Sequence, residues 1–252
     1  MSSRVSYSAF AGLLLAAALG AAPAAAQETD VLLRDLQTIG DIAKREDILW
    51  TLGDRSGEAV RLALESVAAE KQAAPQLRMQ AVCSLRSSAT GDTVPLLLDI
   101  VETDLAERHG YWACAIPLLG QLEDRRAIPL LMQVANLDEE QLIGMDHMAI
   151  EALTRIGDER ELGFFMAKAD IPAIRPTVIG KLAEMAAPQS VDILIGALSD
   201  AEEAEVVQAA ENGLLKIGES AIEALIKAGE ETEGDPVLRK RATAILNQIR
   251  SR

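Results

Sequence analysis

Two cysteines, Cys83 and Cys114, and two histidines, His109 and His147, are the only side chains of their kinds in the 252 residues. Thiol, redox or imidazole chemistry has to start from them. Neither cysteine stands in a Cys-x-x-Cys motif, which disfavours a catalytic thiol. Two states remain open for the pair: a disulfide, favoured in an oxidising compartment, or two buried thiols serving as small apolar residues. His109 and His147, with Glu107, Glu140 and Asp146 near them in sequence, outline a metal site. Two histidines seldom complete a ligand set, so no metal and no cofactor are expected. The sequence has no Gly-x-Ser-x-Gly, no phosphate loop ending in Lys-Ser or Lys-Thr, and no His-Glu-x-x-His. Acidic pairs such as Glu139-Glu140, Glu202-Glu203 and Glu230-Glu231 read as solvated helix faces.

The elements that position these residues follow from composition and spacing. Hydrophobic residues make up 49% of the chain, too many for disorder, and aromatic residues only 3%, too few for a β-sandwich or barrel. The formal net charge of -15 argues against a phosphate backbone as partner, so no nucleic acid is expected. Arg4, the apolar stretch from Ala9 to Leu19 and the small residues Ala24-Ala25-Ala26 form an export signal with cleavage before Gln27. The apolar stretch is shorter than the roughly 20 residues of a membrane span, which implies no stable anchor after cleavage. Residues 1–26 are therefore expected to be a signal peptide and 27–252 the folded domain, in the periplasm or outside the cell.

A repeat fills that domain. Taking Leu52, Ser88, Leu122, Ile156, Met185, Ile217 and Ile249 as anchors gives spacings of 29 to 36 residues, and leucine stands three places before every anchor, at 49, 85, 119, 153, 182, 214 and 246. From the second repeat onward, the places seven before hold Ala or Val and those eleven before hold Leu, Tyr, Met, Ile or Val. These offsets trace one apolar stripe on an α-helix. The first repeat breaks the pattern with Asp41 and Arg45, which predicts a shorter helix. Gly and Asp after the anchors predict left-handed helix ends and caps for the next helix. Asp104, Asp138, Asp170, Asp200 and Asp235 are expected to cap the stripe-bearing helices. One helical pair cannot bury its stripe alone, so the pairs must stack.

Two-helix units of this length, with Ile-Gly-Asp turns, Ala seven before and Leu three before the anchor, and apolar-Arg pairs at Leu77-Arg78, Ile174-Arg175 and Leu238-Arg239, resemble HEAT repeats of the short, lyase-associated bacterial type. The resemblance covers nearly all of 31–252 and implies an all-α solenoid, or superhelix, of about seven two-helix repeats. Arg is absent at the matching places Trp112, Asp146 and Val207, and Pro172 and Pro176 interrupt the fifth unit. Deoxyhypusine hydroxylase shares this repeat type and holds iron through His-Glu steps. Here His109 precedes Gly110 and His147 precedes Met148, which disfavours that activity. Phycobilin lyase subunits share the repeat type as well, but an export signal does not suit their context.

The expected function is that of an exported, non-catalytic scaffold, not an enzyme, binding an unidentified protein or peptide of the bacterial envelope. The alternative is an accessory lyase-type or metal-dependent enzyme using the concave face as a pocket. Trp112, in a place where other units carry Arg, forms a candidate partner-binding set with Arg78, Asp146 and Arg175, since Trp and Arg are enriched at binding hot spots. The Arg239-Lys240-Arg241 cluster, with Arg250 and Arg252, reads either as the polar face of a terminal cap or as a docking patch for an acidic partner.

Overall fold

In the computed structural model the described residues are 24–107, 110–137, 144–200, 203–231 and 235–252, and among them no β-strand occurs. The fold is all-α, built from helical pairs repeated in the manner of a HEAT-like α-solenoid. The chain divides into two units, one ending at Leu118 and one beginning at Leu119.

In the first unit α1 (24–38) precedes α2 (Ile42–Leu52), α3 (Glu58–Ala69) precedes α4 (Pro75–Ser84), and α5 (Val94–Glu107) precedes α6 (Trp112–Gln121), whose last turn lies in the second unit. Asp41 caps α2, accepting a hydrogen bond from the Lys44 N–H, but the helix is not the shorter one expected: at 11 residues it exceeds α4 and α6, at 10 each. Asp41 is thus the cap and Arg45 lies in the first turn, and the buried residues of α2 are Ile48, Leu49 and Leu52. The buried face runs through Leu49, Leu52, Leu64, Leu77, Ala81 and Leu85.

The second unit continues with α7 (Ile128–Val134) and α8 (Met145–Ile156), α9 (Leu162–Lys168) and α10 (Arg175–Met185), α11 (Val191–Ala197) and α12 (Ala204–Ile217), and α13 (Ile222–Glu231) and α14 (Pro236–Arg250). Pro129, Pro176 and Pro236 sit in first turns, where a missing N–H breaks no helical hydrogen bond. Leu119, Leu153, Leu182 and Leu214 have no exposed surface, and Leu246 in α14 is also buried. The leucine row three before each anchor is the centre of the core.

The turn residues act differently from expectation in several places. Gly218 ends α12 with φ 66 and ψ -126, a positive-φ conformation that glycine adopts without a Cβ clash. Gly53 has φ -61, an ordinary helical value, and the nearest group to its missing Cβ is the Arg86 guanidinium, with Nη1 at 2.7 Å. After α10 it is Ala186 that takes the left-handed cap, at φ 49. Of the recurring aspartates, Asp235 caps α14 through the Val237 and Leu238 N–H groups. Asp104 does the same for α6 from inside α5, accepting from Gly110 and Trp112. Asp200 instead receives the Arg175 guanidinium, and Asp138 lies outside the described residues.

Leu153 is fully buried in the middle of α8. Leu153→Ala is expected to lower stability by about 2–5 kcal/mol in urea unfolding; an unchanged midpoint would contradict its place in the core.

Candidate functional site

The arginine of the repeat motif has an internal task. The last carbonyls of a helix have no intrahelical partner, and cations from a neighbouring helix fill several such places. Arg78 of α4 donates from Nε to Ala68 O at the end of α3, at 3.1 Å, and its guanidinium lies over the Tyr111 ring, 4.9 Å from the centroid. Arg175 of α10 donates to Ala169 O after α9 at 2.7 Å and to Asp200 at 2.9 Å. Lys168 reaches Ala135 O after α7 at 2.9 Å, and Arg241 of α14 reaches Leu198 O after α11. Arg78 and Arg175, both expected in a partner-binding set, therefore direct their donors inward. Trp112, the third member, is half-buried, and its backbone N–H donates to Asp104. Asp146, the fourth, stands in the first turn of α8 with His147 Nε2 3.6 Å from its carboxylate.

Cys83 and Cys114 form a disulfide between α4 and α6, with Cα atoms 5.0 Å apart. No group of three or more His, Cys, Asp or Glu side chains that could hold a metal ion occurs among the described residues, and His109 and Glu140 lie outside them. A buried polar cluster escaped the sequence reading: Glu65 accepts both from Arg61, at 2.9 Å, and from the Thr93 hydroxyl, at 2.6 Å. The Glu65 hydrogen bond holds Arg61 protonated and raises its pKa above the ordinary arginine value. The i, i+4 spacing of Arg61 and Glu65 on α3 is the signal that could have found the pair.

A groove that can receive another molecule lies between α12 and α14. At two crossings of the second unit, the residue two before one anchor meets the residue four before the next. Where both are small, the helices nearly touch: a Cβ on Gly120 would sit 2.9 Å from Ala152 Cα, and one on Gly213 would sit 2.7 Å from Ala183 Cα. At the last crossing the same two offsets are Leu215 and Ile245. These larger side chains line a groove of about 540 Å³, together with exposed Val237 and Ala244. Lys240 and Arg241 put two positive charges on its rim, and Glu211 lies toward the other helix. Asp235 faces the same region: the Leu238 N–H, the Ser199 hydroxyl and the charge of Arg241 hold its carboxyl below the usual range. An apolar floor beside two cations suits an apolar segment that carries carboxylates.

No protein-family model matches the chain, and no curated protein matches it. Solved structures do. The complex of CpcE and CpcF of phycocyanin lyase from Nostoc aligns at a TM-score of 0.53 and 17% identity, over 88% of this chain and 94% of that one. Human deoxyhypusine hydroxylase in complex with glycerol aligns at 0.35 and 16%, over 90% and 97%, and an engineered protein at 0.38 and 16%, over 89% and 97%. The likeness to the lyase components supports a HEAT-like helical-repeat fold. The expectation that the chain is not an enzyme is corrected: it treated the architecture as unsuited to catalysis, whereas the same architecture is found in the components of a lyase.

The disulfide and the caps give two measurable outcomes. Reduction of Cys83–Cys114, which are separated by 31 residues, is expected to lower stability by about 2–4 kcal/mol, read from urea midpoints with and without reductant; identical midpoints would show that the bridge adds nothing. Arg126 donates from its side chain and its N–H to Asp124 and brings that carboxyl down to about 2. The folded pKa lies below the ordinary aspartate value of about 3.9, so the contribution is present above about pH 4 and lost as pH falls toward 2. Asp124→Asn is expected to flatten the acid limb of stability in that window; an unchanged limb would contradict the cap.

Proposed function

We propose that this chain is an exported helical-repeat protein of the short bacterial lyase-associated kind, acting as an accessory lyase-type component that holds another protein in the groove between α12 and α14. The groove carries the reading: it is the place where the repeat's own close helix contact gives way to an open apolar floor rimmed by Lys240 and Arg241. Helix-in-groove binding is a common use of such a surface. The aligned lyase structure is itself a complex of two components, which supports a role fulfilled in association with a second protein. The metal-dependent form of the enzyme reading has no ligand cluster to build on among the described residues. Export is supported by the signal-like first 26 residues and by the Cys83–Cys114 bridge, which suits an oxidising compartment. No described helix is long and apolar enough to cross a membrane.

The test is isolation from the native envelope of the wild type and of Lys240→Glu, with N-terminal sequencing, gel filtration and assay of the co-eluting enzyme activity. The expected result is a chain beginning at Gln27 that elutes with a stoichiometric protein partner and its activity, and a variant that elutes without them. Elution of both proteins as the free chain would overturn the partner reading, and an intact N-terminus in the cytoplasm would overturn export.

A further inference from the structure

The proposed role leaves open which protein fills the groove, and the other end of the chain carries a surface of complementary chemistry. α2 leaves two large apolar side chains in solvent: Ile42 is 50% exposed and Trp50 61% exposed. They lie eight residues apart, about two helical turns, and so share a face. Between them, about one turn from each, stand Glu46 and Asp47, half-buried and exposed respectively. The face therefore reads apolar, acidic, apolar. α1 adds acidic Glu28 and Asp30 and exposed Val31. Trp50 has Arg86 over its ring at 5.3 Å, so the indole is held in place on the surface.

The groove of α12 and α14 is the counterpart. Its floor of Leu215, Val237, Ala244 and Ile245 is apolar, and its rim places Lys240 and Arg241 where the partner's carboxylates would fall. Arg241 is tied to Leu198 O and also acts on Asp235, while Lys240 is exposed and makes no ion pair among the described residues. In a chain with 39 acidic and 24 basic residues, a paired cationic rim on an apolar groove is an uncommon surface, and the acidic-apolar face of α2 fits it in both charge and hydropathy.

From this we infer that the chain associates head to tail with a second copy of itself, the Ile42–Trp50 face of α2 on one copy seating in the α12–α14 groove of the next, with Glu46 and Asp47 against Lys240 and Arg241. The inference rests on reading the groove as a protein-docking site and names its occupant. A contact between two different surfaces of identical chains is heterologous and extends into rings or filaments. Trp50 is the expected anchor, since buried Trp dominates interface energetics.

Sedimentation of the purified full chain over a wide concentration range tests this at low and high salt. The wild type is expected to gain mass with concentration, less so in high salt, while the Trp50 emission moves to shorter wavelength, with Trp50→Phe identifying that signal. Lys240→Glu and Asp47→Lys, both on exposed sites, are each expected to weaken association about tenfold or more. Mixing the two variants should restore it, because the reversed charge in the groove of one then meets the reversed charge on α2 of the other. A single-chain mass at all concentrations overturns the inference, as does loss of association that mixing does not restore. A monomeric wild type that still co-elutes with a different protein through Lys240 also overturns it, while leaving the partner reading intact.

Discussion

A pair of helices that buries one face each still leaves an apolar stripe in water, and that constraint governs this molecule. The stripe becomes dry only when the next pair lies against it. The consequence is a leucine in every repeat, three before the anchor, with almost no exposed surface, and crossings as close as Gly120 on Ala152 and Gly213 on Ala183. Close approach is self-limiting. Where Leu215 and Ile245 stand at the same two offsets, their larger side chains line a groove between α12 and α14.

Hydrogen bonding follows the same neighbour-dependent logic. A helix of seven residues such as α9 or α11 leaves carbonyls unsatisfied at its end, and the chain answers with a cation from a neighbouring helix: Arg175 on Ala169 and Arg241 on Leu198. An arginine recurring in a repeat motif looks like a recognition residue when only its exposure is guessed. Here Arg78 and Arg175 also donate to carbonyls at the ends of neighbouring helices.

The stripe was legible because burial imposes a period, and the period survives in Leu49 through Leu246. The break in the stripe at Asp41 and Arg45 was misread as a shorter first helix: α2 runs to 11 residues, and the polar residues are absorbed at its cap and first turn. The turns were read less well. Gly53 and Gly218 look alike in sequence, yet one keeps a helical φ and the other supplies a positive φ. Asp200 and Asp235 look alike too, yet one binds a guanidinium and the other caps a helix. The distinction depends on what lies across the turn, which no local pattern records. The groove was harder still, because it arises from an exception at two offsets that face each other only after folding. Reading the architecture as non-catalytic mistook a scaffold for a function, and folds host many functions.

The close-contact account is tested most directly by two matched glycine substitutions read in the same urea titration. Gly213 meets Ala183 with no room for a Cβ, whereas Gly196 on α11 has open space around it. Gly196→Ala is expected to leave stability unchanged or raise it by up to about 1 kcal/mol through helix propensity. Gly213→Ala is expected to lower it by about 1–3 kcal/mol through overpacking. Equal or increased stability in both would contradict the proposition that small residues at the crossings let the helical pairs shield one another.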